Sequence, residues 1–204
     1  GAKNSKGRAI QNLLQLEQDD RVNAFIRVKG LTDPEYNTTH NLIFATKKGM
    51  VKKTSLAAYS RPRAVGVNAI IIREDDEVIG VRLTDGKSQI ILANRNGRAI
   101  RFEEDKVRTM GRMSTGVKGM TLDDDQDEVI GMITMTGAED ETVMVVSENG
   151  YGKRSALGDY RITNRGGKGV KTIQITDKTG KLVAIKNVND SNDLMIINQN
   201  GVAL

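Results

Sequence analysis

Four segments of this chain can be laid in register, and that repetition limits its possible folds more than any other feature. They begin NLIFATKKGMVKKTSL at Asn41, QIILANRNGRAIRF at Gln89, TVMVVSENGYGKRSAL at Thr142 and DLMIINQNGVAL at Asp193. Their turn glycines, Gly49, Gly97, Gly150 and Gly201, are spaced 48, 53 and 51 residues apart. Each complete unit then carries a Gly-Val pair, at Gly66-Val67, Gly116-Val117 and Gly169-Val170. Alternating apolar residues follow (Ile70 and Ile72, Met120 and Leu122, Ile173 and Ile175), then an acidic cluster and another apolar run. A unit of about 50 residues cannot bury both faces of its own sheet, so neighbouring units must cover one another.

Short apolar runs without helical periodicity read as strands, and Asn96-Gly97, Asn149-Gly150 and Asn200-Gly201 supply the positive φ angles of tight hairpins. The expected fold is all-β, a propeller-like array of repeated four-stranded blades, each a simple up-and-down meander. Residues 1–204 are expected to form a single domain with repeats at approximately 1–40 (partial), 41–88, 89–141, 142–192 and 193–204 (partial). The stretch from Lys29 to His40, with Asp33-Pro34, has no counterpart in the other units and reads as an inserted surface loop. A start at Gly1 rather than Met suggests a piece of a longer protein.

Composition removes several classes of function. The chain has no cysteine and one histidine, which leaves out disulfides, thiolate zinc sites and His-rich metal clusters. No apolar run approaches the roughly 20 residues of a membrane span. GYGKRS at residues 150–155 lacks the spacing of a phosphate loop, and Asp123-Asp124-Asp125 lacks the spaced ligands of a calcium loop. His40 has no evident nucleophile or carboxylate partner and reads as an exposed loop residue. A net charge of +5 points to a polyanion, and 3% aromatic content argues against stacking on single-stranded bases.

In the meander, the acidic cluster and the glycine turn fall at one end of each blade. Glu17, Asp19, Asp20, Glu74 to Glu77, Asp123 to Asp125, Asp127, Glu128 and Asp177 place 13 of the 26 acids there. In every complete repeat, four residues after the turn glycine and at the other end of strand two, stands a cation: Lys53, Arg101 and Arg154. The next loop adds Arg61 and Arg63, then Arg108 and Arg112, then Arg161, Arg165 and Lys168. Lys52, Arg98 and Lys153 flank the row. One cation per blade at a fixed position suits duplex DNA, where phosphate neutralisation releases counterions without reading sequence. In ITNRGGKGV, residues 162–170, Gly166 and Gly167 leave room for a phosphate between Arg165 and Lys168.

The segments GRAIQNLLQLEQDDRV, ATKKGMVKKT, NGYGKRSALGDY and NRGGKGVKTI, in that order, resemble the C-terminal domain of bacterial DNA gyrase A. The resemblance implies a β-pinwheel in which neighbouring blades exchange a strand, which would overturn the meander's strand order. It implies a cytoplasmic DNA-wrapping module that supports ATP-dependent negative supercoiling, with double-stranded DNA, the rest of gyrase A and gyrase B as partners and no membrane. No catalytic residue, cofactor or metal is expected in this chain, since ATP and Mg would be bound elsewhere in the whole enzyme. The family's signature box is Gln-basic-Arg-Gly-Gly-basic-Gly in the first blade. Arg165 to Gly169 matches its core in a later repeat, without the leading Gln and first cation. By register the chain covers roughly the second to fifth blades, an open arc. The equivalent domain of topoisomerase IV and a protein-binding propeller remain open as alternatives.

Overall fold

The computed structural model describes residues 23–61, 67–138 and 140–192, together with 195, 197 and 200. The expected repeat at 1–40, Arg63, Gly66 and the last segment therefore lie wholly or mostly outside the described residues. In chain order the strands are β1 (Asn41–Thr46), β2 (Met50–Ser55), β3 (Val78–Thr84), β4 (Gln89–Asn94), β5 (Arg98–Glu103), β6 (Val117–Lys118), β7 (Val129–Met135), β8 (Thr142–Ser147), β9 (Gly152–Ala156), β10 (Val170–Lys171) and β11 (Leu182–Val188). They make three antiparallel sheets, ordered β3-β1-β2-β6, β7-β4-β5-β10 and β11-β8-β9.

This order corrects the meander. The last strand of each repeat returns beside the first, while the Gly-Val strand leaves to pair with the preceding sheet: Val117 aligns with Val51, and Val170 with Ala99. The glycines explain why that strand can dock. Gly116 and Gly169 have φ of 96° and 76°, and a Cβ on them would collide with the carbonyl oxygens of Val51 and Ala99 respectively. No side chain fits where the loop meets its neighbour's backbone.

The hairpin turns also differ from the expected form. Gly49, Gly97 and Gly150 have positive φ, but the residues before them do not. Each glycine N–H donates to the carbonyl three residues back, on Thr46, Asn94 and Ser147. A four-residue turn ending in a left-handed glycine replaces the two-residue Asn-Gly turn.

Side-chain alternation distributes the apolar residues between successive cores. In β1, Leu42 and Phe44 face an N-terminal cluster with Leu56 and Val81, while Ile43 and Ala45 face the next sheet. In β4, Ile90 and Leu92 join Ile43 in that second core, and Ile91 and Ala93 enter a third with Val143, Val145 and Tyr160. Sheets covered on both faces produce continuous apolar runs, which is why β4 is buried at all six positions. Strands β3, β7 and β11 pack side by side, which puts the borrowed strands β6 and β10 at the opposite edge.

The Lys29–His40 stretch is not simply a loop. Pro34–Thr39 forms a short helix, α1, capped by the Asp33 side chain, which accepts from the Glu35 N–H at 3.0 Å. Proline at the first helical position needs no N–H partner, so Asp-Pro starts a helix here. His40 is half-buried, its ring stacked on Tyr36 with centroids 3.8 Å apart.

Candidate nucleic-acid interface

In the described repeats the acidic cluster sits against the glycine turn, and the structure gives part of it a local role. β3 runs antiparallel to β1 with Val78 beside Thr46, so the acids preceding it meet the hairpin turn. Asp76 accepts from the Lys48 N–H at 3.0 Å. Asp127, buried, accepts from the Asn94 side chain at 2.8 Å and from the backbone N–H groups of Asn96, Asp123 and Glu128. These carboxylates hold turns together.

The recurring cation of strand two divides by context. Lys53 is buried, and its ammonium donates to the Glu104 carbonyl of the next repeat at 3.1 Å. Arg101 is buried too; its guanidinium donates to the Leu157 and Tyr160 carbonyls of the next repeat at 3.2 and 2.9 Å, and to Gln89 Oε1. Both cations clasp the 3-10 turn of the following unit, and Lys53 and Arg101 also form parallel bridges with Thr109 and Ile162 beyond it. Arg154 holds the same register but is exposed, paired with Asp190 at 2.9 Å and Thr142 Oγ1 at 2.8 Å.

Lys52 is fully buried beside the Phe44 ring, with Nζ donating to the carbonyls of Ala69 and Arg112 at 2.6 and 2.5 Å. Burial, helped by nearby Arg112, lowers its pKa to about 8. Lys52, Lys53 and Arg101 are thus turned inward, which corrects their expected place on a presented row. Their charges are desolvated and offset by carbonyl oxygens from neighbouring segments.

Arg61, Arg108, Lys153, Arg154, Arg161 and Lys168 are exposed, and Arg98, Arg112 and Arg165 are half-buried. Arg112 donates to the Asn68 carbonyl at 2.9 Å. Arg165 is anchored on the preceding repeat, donating to the Lys106 and Lys118 carbonyls, both at 3.0 Å. The Gly166 N–H donates to the Gly119 carbonyl at 2.8 Å, and the Gly167 carbonyl accepts from the Thr121 N–H at 2.9 Å. The Arg-Gly-Gly-Lys-Gly segment is therefore a latch between repeats as well as a loop bearing cations. The N–H groups of Gly167 and Lys168 have no partner among the described residues. They border a shallow depression of about 500 Å³ lined also by Arg161, Thr163, Asn164 and Arg165.

Two further exposed lysines lie on the borrowed strands, Lys118 on β6 and Lys171 on β10. Their signal was in plain view: Gly-Val is followed by Lys in both GVKGM and GVKTI. Strand exchange carries each to the edge opposite β3, β7 and β11.

Cations flanking unbonded N–H groups suit a polyanion. Among the described residues there is no group of three His, Cys, Asp or Glu side chains placed to hold a metal ion, and no helix is long and apolar enough to cross a membrane.

Comparison with known proteins agrees with the architecture. The family model described as DNA gyrase C-terminal domain, beta-propeller, matches residues 40–85, 88–134 and 141–189. DNA gyrase A of Staphylococcus aureus strain MRSA252 is 43% identical over 203 residues, covering 100% of this chain and 22% of the relative. The same identity and coverage hold for the gyrase A of strain NCTC 8325. This chain thus spans about a fifth of the length of these curated relatives. Among solved structures, the C-terminal domain of DNA topoisomerase IV aligns with a TM-score of 0.85 at 26% identity, over 97% of this chain and 60% of that one. The DNA gyrase A C-terminal domain aligns with a TM-score of 0.82 at 23% identity, over 98% and 64%.

Proposed function

Because the chain belongs to the DNA gyrase C-terminal domain family, we propose that it binds duplex DNA without sequence preference and bends it around its outer edge, as an accessory module of a gyrase. The observation that carries this reading is the concentration of exposed cations on the inter-repeat loops and borrowed strands, Arg108, Lys118, Arg161, Lys168 and Lys171. Arg61, Lys153 and Arg154 extend it, with half-buried Arg98, Arg112 and Arg165 able to reach phosphate from the same loops. Gly166 shapes the latch, and the N–H groups of Gly167 and Lys168 offer phosphate two donors.

On this reading residues 1–204 act as one continuous array, with the remainder of gyrase A and gyrase B as partners in the bacterial cytoplasm. Cleavage and ATP hydrolysis belong to those parts. Bending 20–30 base pairs by 40–90° costs on the order of 1–6 kcal/mol, so many weak phosphate contacts spread along an arc must outweigh it.

The test is duplex affinity against salt. Engagement of about five phosphates gives a log-log slope near −4.5 and a loss of roughly 500-fold between about 50 and 200 mM. Two unrelated duplexes of equal length should bind alike. Affinity insensitive to salt, or confined to one sequence, would sink the proposal.

A further inference from the structure

Where the third repeat latches onto the second, the cations have company. The Asp123 carboxylate, from the acidic turn of the second repeat, lies 3.7 Å from Arg98 Nε and 3.8 Å from Lys168 Nζ. Arg98 also donates to the Gly169 carbonyl at 3.3 Å, so Asp123, Arg98 and the Arg-Gly-Gly-Lys-Gly loop form one contiguous patch. All three side chains keep contact with solvent, at 27% for Asp123, 31% for Arg98 and 57% for Lys168, so a phosphate can reach them.

The internal repeat supplies a control. At the junction of the first and second repeats, the residue after the turn glycine is Met50 where the later junction has Arg98, and the residue before Gly-Val is Thr115 in place of Lys168. The position seven after the Gly-Val glycine is Arg73 there and Asp123 here. The acid stands at the junction that has the two cations. Where they are missing, so is it. A solvated acid of the turn needs no such pairing; Asp124 and Asp125 beside it are exposed and make no ion pair among the described residues.

We propose that Asp123 is a built-in counter-anion, holding Arg98 and Lys168 in place of phosphate and displaced when duplex DNA arrives. This rests on the DNA-binding reading above. Asp123 lowers affinity at this patch, because a phosphate must replace a carboxylate already present and then sit near it. It also changes the salt response. With Asp123 beside them the two cations carry one net positive charge instead of two, so the patch neutralises less phosphate charge and displaces fewer counterions from the DNA.

The experiment compares the 204-residue chain with Asp123→Asn in duplex binding across salt. The variant should bind about two- to fivefold more tightly at low salt, the range of an exposed ion pair. Its log-log slope should steepen by roughly one, so that the two proteins converge at high salt. Asp125→Asn serves as the control and should change neither quantity by as much.

Equal affinity and equal slope for Asp123→Asn would overturn the proposal, as would weaker binding by a variant with unchanged circular dichroism, which would make Asp123 only a lock between repeats. If Asp123→Asn folds poorly, Asp123→Ser removes the same charge with a smaller side chain and should shift affinity and slope in the same direction; no shift in either would overturn the proposal. A wild-type chain that binds no duplex at all is a different result, and would fall on the proposed function itself.

Discussion

At the scale of single residues, the chemistry of a side chain was legible and its surroundings were not. Lys52 reads as one more basic residue of strand two, yet it is fully buried. Ala69 and Arg112, distant in sequence, close their carbonyls over its ammonium. This burial has a measurable consequence. With its folded pKa lowered to about 8 from an ordinary 10.5, Lys52 releases its proton earlier in the folded state than in the unfolded one. The unfolded chain therefore binds more protons between those values, and stability rises with pH across that window, by up to about 3 kcal/mol. A neutral amine keeps two N–H donors for its two carbonyls, so the clasp survives deprotonation. Urea unfolding at pH 7.5 and 9.5 checks this: Lys52→Met should lose part of the wild-type gain in stability, and identical pH dependence in the two proteins would refute the assignment.

At the scale of elements, the strands were legible because apolar runs and turn glycines mark them, but their pairing was not. A meander and a strand exchange use the same strands and the same turns. Gly-Val reads equally well as the start of a strand in its own blade or in its neighbour's. What decides is the close approach of Gly116 and Gly169 to the carbonyls of Val51 and Ala99, a contact between segments more than 60 residues apart. Gly169→Ala should therefore act at the junction. The left-handed backbone alone costs a non-glycine residue about 1–3 kcal/mol, and the methyl must also push β10 away from β5. Thermal denaturation should show that loss. Hydrogen exchange should open at β5 and β10 before β4 and β7, and uniform opening would contradict the local origin.

At the scale of the whole molecule, charge sorts by what the next repeat covers. Acids sit at the turn end, where Asp76 and Asp127 also hold backbone N–H groups. Lys53 and Arg101 turn inward to clasp the following unit, while Arg108, Arg161 and Lys168 of the loops and Lys118 and Lys171 of the borrowed strands stay on the outside. Two kinds of charge change should consequently separate. Arg161→Glu with Lys168→Glu, both exposed, should weaken duplex binding at least tenfold with the β circular dichroism intact. Arg101→Glu should instead lower the melting temperature, because it leaves the Leu157 and Tyr160 carbonyls without their donor and buries a charge of the wrong sign. Full binding by the double variant would remove this loop from the interface.

The repeat, the all-β class, the positions of the glycine turns and the gathering of acids at one end are legible from the residues alone. These depend on spacing and local backbone freedom, which a chain carries wherever it goes. Tertiary structure decided which sheet each Gly-Val strand joins and which cations meet solvent. Lys53 and Arg101 show why: the sequence marks both as cations of strand two, yet each is drawn inward by the 3-10 turn of the unit that follows. A cation can leave water only where carbonyls replace its hydration, and those carbonyls come from the neighbouring repeat, about fifty residues further along the chain.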